Sequence, residues 1–422
     1  MKTSRKADRT QSIIFFISIT ISLPLHTQTD TINPIYEELI GDDATQKSTW
    51  IEISASNSNE RSLLAEAGMS LDEINENSVC GIIPNYLIHN IKDSGFVIKS
   101  QTPLNRLIEE DLTKTKRFPF LSYNHVESTL KMLAKKHHDV ASLTSMGRSI
   151  QSRNLSTLRI NTTEKNNESS IKTGILFIGT MHAREHLATT VALELALWLC
   201  NNKKNLHDFL SKYDIYITPL FNPDGSEFDL DGKPYRYFRK NMRINHDKRI
   251  GVDLNRNFSY GWGERGSSNF TGSETYRGPF PFSEPESRAL KNFLENKTNI
   301  KAFVSYHSYG ELILYPWGNT QKPIENIHDR KLHESIAQGM ATITGYAPQQ
   351  ASRLYIASGD TTDWAYATHK LISFTIELFP KQYGRINGSG FYPTEKSLIK
   401  KTATNNIKAA LYLMEKINLN CQ

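Results

Sequence analysis

The chain has 422 residues, of which 38% are hydrophobic and 22% charged, and its formal net charge is +6. This composition excludes a fibrous or disordered chain and is typical of one large globular domain plus a smaller one. Three cysteines are too few for a disulfide framework. The positive charge does not indicate nucleic-acid binding, because no basic helix or aromatic-basic repeat accompanies it.

The first 27 residues have the pattern of a secretory signal peptide. Lys2, Arg5, Lys6 and Arg9 precede a short apolar stretch at 13–25, which a polar segment follows. This stretch is shorter than the roughly 20 residues that span a bilayer. We therefore expect secretion, to the extracellular space or the periplasm, and no membrane attachment once 1–27 is removed. A membrane anchor or a buried helix is the alternative.

Residues 28–116 have the features of a small α+β pro-segment. Strand-like runs at 50–53 and 96–98 accompany an amphipathic segment at 61–67. Residues 30–116 contain 15 acidic and 7 basic residues, whereas 117–422 carry a net charge of +11. Opposite charges favour docking of the two parts, although each part could simply have a charged, solvated surface.

A basic stretch at 114–117, followed by Pro119, predicts a link that an activating protease could cut. We therefore expect the pro-segment to inhibit a working domain at 117–422 until this cut is made. A permanent N-terminal accessory domain is the alternative.

Strand and helix patterns alternate in residues 117–422. We predict strands at 174–178, 213–220, 302–306 and 371–378, and helices at 189–200, 285–295, 331–344 and 395–416. This alternation predicts an α/β domain with a mixed or mostly parallel sheet. Such sheets bind ligands at the carboxyl ends of their strands, and His182, Asn222, His307 and Glu377 each lie at or just after such an end.

Two of these residues, His182 and His307, could bind one metal ion together with Glu185. His182 and Glu185 follow the turn at 179–181, and His307 follows a second strand. A His-x-x-Glu motif alone is weak support, but two imidazoles and one carboxylate leave a fourth position open, as in catalytic zinc sites. A carboxylate, an amide and a guanidinium are clustered at 253–257. The sequence therefore predicts a metallohydrolase with one Zn²⁺ per chain.

Several short motifs identify a known family. They are MHAREH at 181–186, FRK at 238–240, GVDLNRN at 251–257, SETY at 273–276, HSY at 307–309, YIASGD at 355–360 and FTIE at 374–377. In order and spacing they resemble the zinc carboxypeptidases of the pancreatic A/B type, over roughly residues 117–416. LILYP at 312–316 and GDTTDWAY at 359–366 are most similar to the secreted bacterial carboxypeptidase T branch. The resemblance implies a twisted, mostly parallel sheet with helices on both faces.

The resemblance also implies catalytic roles. His182, Glu185 and His307 resemble the zinc ligands, and Asp253 resembles the carboxylate that orients a ligand imidazole. Asp253 could instead cap a helix or form a loop salt bridge. Glu377 resembles the general base and acid, and Arg239 the cation that stabilises the oxyanion. We expect the neighbouring Lys240 to be a solvated surface charge.

A second group of residues resembles the family's substrate-binding site. Asn255, Arg256 and Tyr355 resemble the clamp on the C-terminal carboxylate of a peptide, which an internal peptide bond cannot offer. Arg184 resembles a residue that contacts a substrate carbonyl further upstream, although an exposed arginine is usually only a surface charge.

The pocket for the terminal side chain departs from both main patterns. Thr362 falls at the position that resembles the base of the family's pocket, where A-type enzymes have an aliphatic residue and B-type enzymes an aspartate. Asp360 matches an acidic position of the T-type branch and could pair with a basic side chain, or it could cap a turn after Gly359. We therefore expect broad specificity for apolar and basic C-terminal residues.

These inferences lead to a hypothesis: the protein is a monomeric, secreted zymogen of a zinc carboxypeptidase that acts on the C-termini of peptides or proteins. A related zinc amidohydrolase acting on cell-wall or side-chain amides is one alternative. A non-catalytic binding relative is another. Cys200 and Cys421 could pair or remain free thiols, and the sequence leaves this open.

Overall fold

The computed structural model describes residues 47–108, 120–162, 172–232, 235–379 and 390–420, all within one compact unit. We call residues 47–108 the N-terminal lobe and the described residues from 120 to 420 the main lobe. The predicted signal peptide, the start of the predicted pro-segment and the basic stretch at 114–117 lie outside the described residues.

The N-terminal lobe contains a four-stranded antiparallel sheet and several short helical segments. Its elements are β1 (Ser48–Ser54), α1 (Ser58–Glu66), β2 (Glu73–Ile74), β3 (Ser78–Pro84), α2 (Ile88–Asp93) and β4 (Ile98–Pro103), with the strands in the order β2-β3-β1-β4. Helix α1 begins after Asn57, whose side chain accepts a hydrogen bond from Glu60 N at 3.0 Å. Ile51, Ile53, Leu64 and Val79 form part of a buried core. The lobe therefore has the α+β character that the sequence predicts.

The main lobe alternates strands and helices around one large sheet. Its strands are β5 (Ala141–Arg148), β6 (Asn154–Ile160), β7 (Thr173–Gly179), β8 (Tyr213–Thr218), β9 (Ile300–Ser308), β10 (Leu312–Tyr315), β11 (Ala347–Gln350) and β12 (Ile372–Leu378). Its helices are α3 (Tyr123–Lys136), α4 (His186–Asn201), α5 (His207–Leu210), α6 (Pro223–Asp231), α7 (Pro285–Asn296), α8 (Ile327–Thr344), α9 (Thr361–His369) and α10 (Lys396–Asn420).

The eight strands have the order β11-β10-β12-β9-β7-β8-β6-β5. Neighbours from β12 through β9 and β7 to β8 run parallel, as do β10 and β11, whereas β10–β12, β8–β6 and β6–β5 are antiparallel. The predicted α/β class with a mixed, mostly parallel sheet is thus confirmed. The sequence did not predict β5, β6, β10 and β11, of which β10 and β11 are only four residues long.

Side chains of the central strands alternate between two buried cores. Ile175 and Phe177 of β7 belong to one core, which includes α4 and α10 residues, and Leu176 and Ile178 belong to the other, which includes α7 and α9 residues. Because successive strand residues point to opposite faces, the helices cover both faces of the sheet. This arrangement agrees with the prediction.

The strand register aligns the ends of the three central strands. Gly179 of β7 pairs with Tyr306 of β9, and His307 of β9 pairs with Glu377 of β12. The chain segments that leave these strands therefore start side by side at one edge of the sheet.

The described residues test only part of the predictions about membrane attachment and about a disulfide bond. Within those residues, no helix is both long enough and apolar enough to cross a bilayer. Cys80 and Cys200 are both buried. Cys421 lies outside the described residues, so both alternatives for Cys200, pairing with Cys421 or a free thiol, stay open.

Candidate active site

The turn after β7 holds His182 and Glu185 in fixed positions. Thr180 has φ of +51°, and its hydroxyl donates to Glu185 O at 3.0 Å, which reverses the chain before α4 begins. The Ala183 N–H donates to Arg239 O at 2.9 Å and ties the turn to a neighbouring loop. The His182 and Glu185 side chains are both buried.

His307, near the end of β9, completes a cluster of three. Its Nδ1 lies 2.9 Å from Glu185 Oε2 and 3.2 Å from His182 Nδ1, and His182 Nδ1 lies 2.8 Å from Glu185 Oε1. Among the residues that the structure describes, this is the one group of three or more His, Cys, Asp or Glu side chains suited to holding a metal ion.

The outer nitrogen of each imidazole has its own partner. His182 Nε2 lies 3.2 Å from Asp253 Oδ1, and His307 Nε2 lies 2.8 Å from Ser305 Oγ. Such partners fix the ring orientation and direct the inner nitrogen lone pair to the centre of the cluster. Burial of Glu185 acts to raise its pKa, but His182 and His307 outweigh this effect and lower the pKa.

This donor set fits a zinc ion. Nitrogen and oxygen ligands at about 2.0–2.2 Å from a tetrahedral ion lie roughly 3.3 Å apart, close to the separations in this cluster. Three protein ligands leave a fourth position open. His182, Glu185 and His307 are thus the residues that would hold the metal.

Asp253 links the metal cluster to Arg239. Besides His182, its fully buried carboxylate accepts hydrogen bonds from Arg239 Nε at 3.2 Å and Nη2 at 3.0 Å. Burial acts to raise the pKa of Asp253, but Arg239 and His182 hold it well below its ordinary value. The carboxylate also accepts from Asn255 N at 2.9 Å, so Asp253 caps the turn at Leu254–Arg256 as well.

Glu377 lies beside the cluster on β12. It is half-buried and lines a cavity of about 480 Å³, whose wall also includes His182, Glu185 and Arg239. Burial raises the pKa of Glu377 to about 8; the Glu185 and Asp72 charges add to the rise, while His307 and Arg239 oppose it. A carboxyl group with a pKa near neutrality suits proton transfer.

The predicted carboxylate clamp lines the same cavity. Asn255, Arg256 and Tyr355 all contribute to its wall. Arg256 Nη2 donates to Tyr355 OH at 3.2 Å, and its Nε donates to Gly266 O at 3.0 Å. The Asn255 side-chain oxygen accepts from Thr361 N at 2.9 Å, which leaves its NH₂ group for a ligand.

Asp360 and Thr362 differ in their access to the cavity. Asp360 lines it; Oδ1 accepts from Thr362 N and Asp363 N, whereas the buried Oδ2 has no hydrogen-bond partner among the described residues. The Thr362 hydroxyl lies 2.7 Å from Thr375 Oγ1, and it is Thr375 that lines the cavity. Asp360 therefore does cap a helix, α9, and its side chain also lines the cavity.

Arg184 is fully buried and is not a surface charge. Its Nη2 donates to Asp72 Oδ1 of the N-terminal lobe at 2.7 Å, and its Nη1 donates to Tyr237 O at 3.2 Å. The Phe391 ring stacks on the guanidinium, with its centroid 4.5 Å from Cζ. Arg184, which resembles a substrate-binding residue, is thus hydrogen-bonded to the N-terminal lobe.

The expectation that Lys240 is a solvated surface charge is wrong. This residue is buried, and its ammonium donates to Thr271 O at 2.9 Å. Burial lowers the pKa of Lys240 to about 8. The apolar spacing of strands and helices carries no information about this loop, so the burial could not be predicted.

Sequence reasoning also missed residues that line the cavity. Asp72 and Glu73 line it from the N-terminal lobe, and Tyr309 and Phe391 line it from the main lobe. The Tyr309 hydroxyl donates to Glu73 Oε1 at 2.8 Å. The adjacent acidic pair in a segment expected to dock on a basic domain was the one available signal for the first two.

Several known proteins are similar to this chain. The zinc carboxypeptidase (Peptidase_M14) family profile matches residues 126–409. The chain is 28% identical over 315 residues to a zinc carboxypeptidase of Saccharothrix mutabilis subsp. capreolus, covering 71% of each chain. It is 32% identical over 336 residues to rat (Rattus norvegicus) carboxypeptidase B2, covering 77% of this chain and 76% of that one. The crystal structure of carboxypeptidase A from Helicoverpa armigera shares its fold, with a TM-score of 0.73 and 22% identity over 89% of this chain and 99% of that chain.

The chain therefore belongs to the zinc carboxypeptidase family. It is a zinc-dependent metallocarboxypeptidase, a peptide hydrolase of a family that acts at the C-termini of peptides. The predicted family and enzyme class are both confirmed.

Proposed function

We propose that the protein is a secreted zymogen whose released enzyme removes single C-terminal residues, both apolar and basic, from peptides or proteins. One observation carries this proposal: a single cavity is lined by His182, Glu185, Arg256, Tyr355 and Glu377. Metal ligands, a proton-transfer group and an anion-binding group converge there.

Arg256 would make the enzyme an exopeptidase. Its guanidinium is buried at the cavity wall and is fixed by Gly266 O and Tyr355 OH. A planar guanidinium binds a carboxylate through two parallel hydrogen bonds, and Asn255 and Tyr355 can add further donors. Only the last residue of a peptide carries a free α-carboxylate at this position.

Glu377 and Arg239 would carry out the chemistry. Glu377 accepts a proton from the attacking water and delivers one to the leaving amine. Arg239, held by Asp253, donates hydrogen bonds to the oxygen on which negative charge develops. The zinc ion, one per chain, supplies Lewis-acid activation when bound by His182, Glu185 and His307.

Asp360 would allow a basic terminal side chain. Its carboxylate lines the cavity, and its Oδ2, which has no hydrogen-bond partner within the described part of the chain, can accept a hydrogen bond from a lysine or arginine side chain. Thr375, Leu312 and Leu314 also line the cavity and offer neutral contacts to an apolar side chain. Both classes of terminal residue therefore have a partner.

The N-terminal lobe would act as the inhibitory part of a pro-segment at 28–116. Asp72 and Glu73 engage Arg184 and Tyr309 on the side of the cavity where the upstream part of a peptide would bind. The net charges of the two parts, negative before the link and positive after it, support this docking. A cut in the basic stretch at 114–117 would release the main lobe from residues 28–116.

Helix α1 of the N-terminal lobe holds the backbone on both sides of Tyr355. Arg61 Nη1 donates to Leu354 O at 3.2 Å, and Ile356 N donates to Ser62 Oγ at 2.8 Å. The Gly266 N–H donates to Glu66 Oε1 at 3.0 Å, next to the carbonyl that fixes Arg256. These contacts support inhibition in which the clamp loops, as well as the cavity, are held by the lobe.

The sequence pattern of 1–27 supports export before activation, to the extracellular space or the periplasm. The expected partners are peptide C-termini, the protein's own pro-segment and an activating protease. We propose a monomer that binds neither nucleic acid nor, once 1–27 is removed, a membrane.

A set of matched peptides tests the proposal. The zinc-loaded full chain is incubated, before and after limited trypsin treatment, with peptides that end in Leu, Lys or Glu, each with a free or an amidated C-terminus. We expect cleavage only after treatment, only with free C-termini, and with Leu and Lys preferred over Glu. Equal cleavage of amidated peptides, or cleavage of cell-wall amides alone, would favour the rival zinc amidohydrolase.

A further inference from the structure

Asp229 is a fully buried carboxylate near the end of α6 that joins three segments of the main lobe. Its Oδ1 accepts from Phe238 N at 2.7 Å. Its Oδ2 accepts from Tyr392 OH at 2.9 Å and lies 2.7 Å from His186 Nε2. Two or three strong bonds to one buried carboxylate fix its neighbours firmly, because leaving any of these groups unpaired is costly.

Each of the three segments carries a residue of the active site. His186 directly follows the metal-ligand candidate Glu185, and Phe238 directly precedes Arg239. Tyr392 directly follows Phe391, whose ring stacks on Arg184. The Tyr392 ring also packs on Tyr237, with centroids 4.7 Å apart.

We propose that Asp229 is a positioning residue for peptide cleavage, which fixes Arg239 through Phe238 and the Phe391–Arg184 pair through Tyr392. The inference rests on the roles proposed above for Arg239 and Arg184. Asp229 touches neither the cavity nor any group that would react. It acts by setting the distance between the oxyanion-stabilising cation and the upstream substrate contacts.

A second hydrolytic site is the competing explanation for this cluster. Ser226 Oγ lies 3.2 Å from His186 Nδ1, so Ser226, His186 and Asp229 have the order of a nucleophile, a base and a carboxylate. All three side chains are buried, however, and none lines the cavity. No substrate can reach Ser226, so positioning is the role that the geometry favours.

Tyr392→Phe is the most selective test, because it removes one hydroxyl and keeps the ring. The zinc-loaded full chain and its variants are treated with trypsin and assayed with two substrates that share their last two residues, an N-acylated dipeptide and a pentapeptide. We expect the KM of the pentapeptide to rise about 3- to 10-fold, as for loss of one buried hydrogen bond. The KM of the dipeptide should change less than about 2-fold, because the dipeptide does not extend to Arg184.

Asp229→Asn and Tyr213→Phe complete the experiment. Asp229→Asn replaces two charged acceptor oxygens with one neutral oxygen, so it weakens the hydrogen bond from Phe238 N as well as the one from Tyr392 OH. It should lower kcat for both substrates about 10-fold by loosening Arg239. Tyr213→Phe removes another buried hydroxyl, which donates to Met414 O at 2.9 Å in a different part of the lobe. It should lower the melting temperature but leave KM and kcat unchanged.

The outcomes separate the inference from the function on which it rests. A pentapeptide KM for Tyr392→Phe equal to that of the wild type, with only a lower melting temperature, would overturn the positioning role. Failure of the wild type to cleave either substrate would instead contradict the proposed function. The zinc content of every variant should equal that of the wild type, which would show that the metal site is intact.

Discussion

The Asp72 carboxylate of the N-terminal lobe lies 2.7 Å from a guanidinium nitrogen of Arg184, the residue directly before Glu185. Both side chains are almost completely shielded from water, with 0% of Arg184 and 3% of Asp72 exposed. Buried pairs of this kind strongly couple two surfaces, because losing one partner leaves the other charge unpaired. This pair joins the proposed inhibitor to the proposed substrate site.

Asp72→Asn should therefore make the uncut precursor partly active. A charge-assisted hydrogen bond is typically worth about 1.5–3 kcal/mol, so we expect precursor activity to rise by about 10-fold or more. The rate of peptide cleavage by the intact chain measures this, with the chain length checked by mass spectrometry. Asp93→Asn, at an exposed position of the same lobe, is the matched control. An uncut Asp72→Asn chain as inactive as the wild type would remove this pair from the inhibitory mechanism.

Glu377→Gln should separate metal binding from catalysis. The substitution keeps the shape of the side chain but removes its ability to accept a proton, so we expect kcat to fall about 10³-fold or more. Zinc content, measured by elemental analysis, should match that of the wild type. Glu295→Gln, which only breaks a surface ion pair with Lys291, should leave both unchanged. Substantial turnover by Glu377→Gln would show that another group acts as the base.

Arg256→Lys should weaken recognition of the C-terminal carboxylate. Lysine keeps the charge but cannot form two parallel hydrogen bonds, so the KM of a free peptide should rise about 10-fold or more. The exposed Arg148→Lys is the control. An unchanged KM would mean that the α-carboxylate binds elsewhere.

Asp253→Asn should weaken zinc binding. Loss of a carboxylate partner to a ligand imidazole typically reduces metal affinity by about 10- to 100-fold. Competition with a chelator of known affinity measures the change, and Asp208→Asn, on an exposed helix, serves as the reference. If zinc affinity were unaffected, the His182–Asp253 contact would serve only the local turn.

The preference for basic terminal residues should increase with pH. Burial raises the pKa of Asp360 above its ordinary value of 3.8. An acid with a raised pKa is neutral at low pH and becomes negative only as the pH rises through its folded-state pKa, so its attraction for a lysine side chain appears above that pKa. The ratio of kcat/KM for Lys-ending to Leu-ending peptides should therefore rise with pH, and Asp360→Asn should flatten it. A ratio that falls or stays constant in the wild type would exclude Asp360 as the recognition group.

The sequence predicted which residues lie together at this site better than it predicted which of their neighbours are buried. His182, His307 and Glu377 each lie at or just after the end of a long apolar strand, so strand periodicity alone placed them at one edge of the sheet. Lys240 and Arg184 are buried by loops and by a second lobe, and the periodicity of apolar residues gives no information about these contacts. The sequence likewise could not predict that Thr362 lies behind Thr375, because side-chain contacts between α9 and β12 determine which residue lines the pocket.

The pairing of His307 with Glu377 on parallel strands has a consequence for how this enzyme can evolve. The spacing between Glu377, the proposed proton-transfer group, and His307, a proposed metal ligand, is set by backbone ladder bonds in the middle of the sheet, where a slip of one residue would turn Glu377 to the opposite face. Asp360, Tyr355 and the upstream contacts lie on connections outside the ladder. The preference for basic terminal side chains, which is proposed to depend on Asp360, can thus change by substitution in a connection while Glu377 and His307 keep their spacing. Apolar selectivity is less free to change, because Thr375, Leu312 and Leu314 lie on the paired strands themselves.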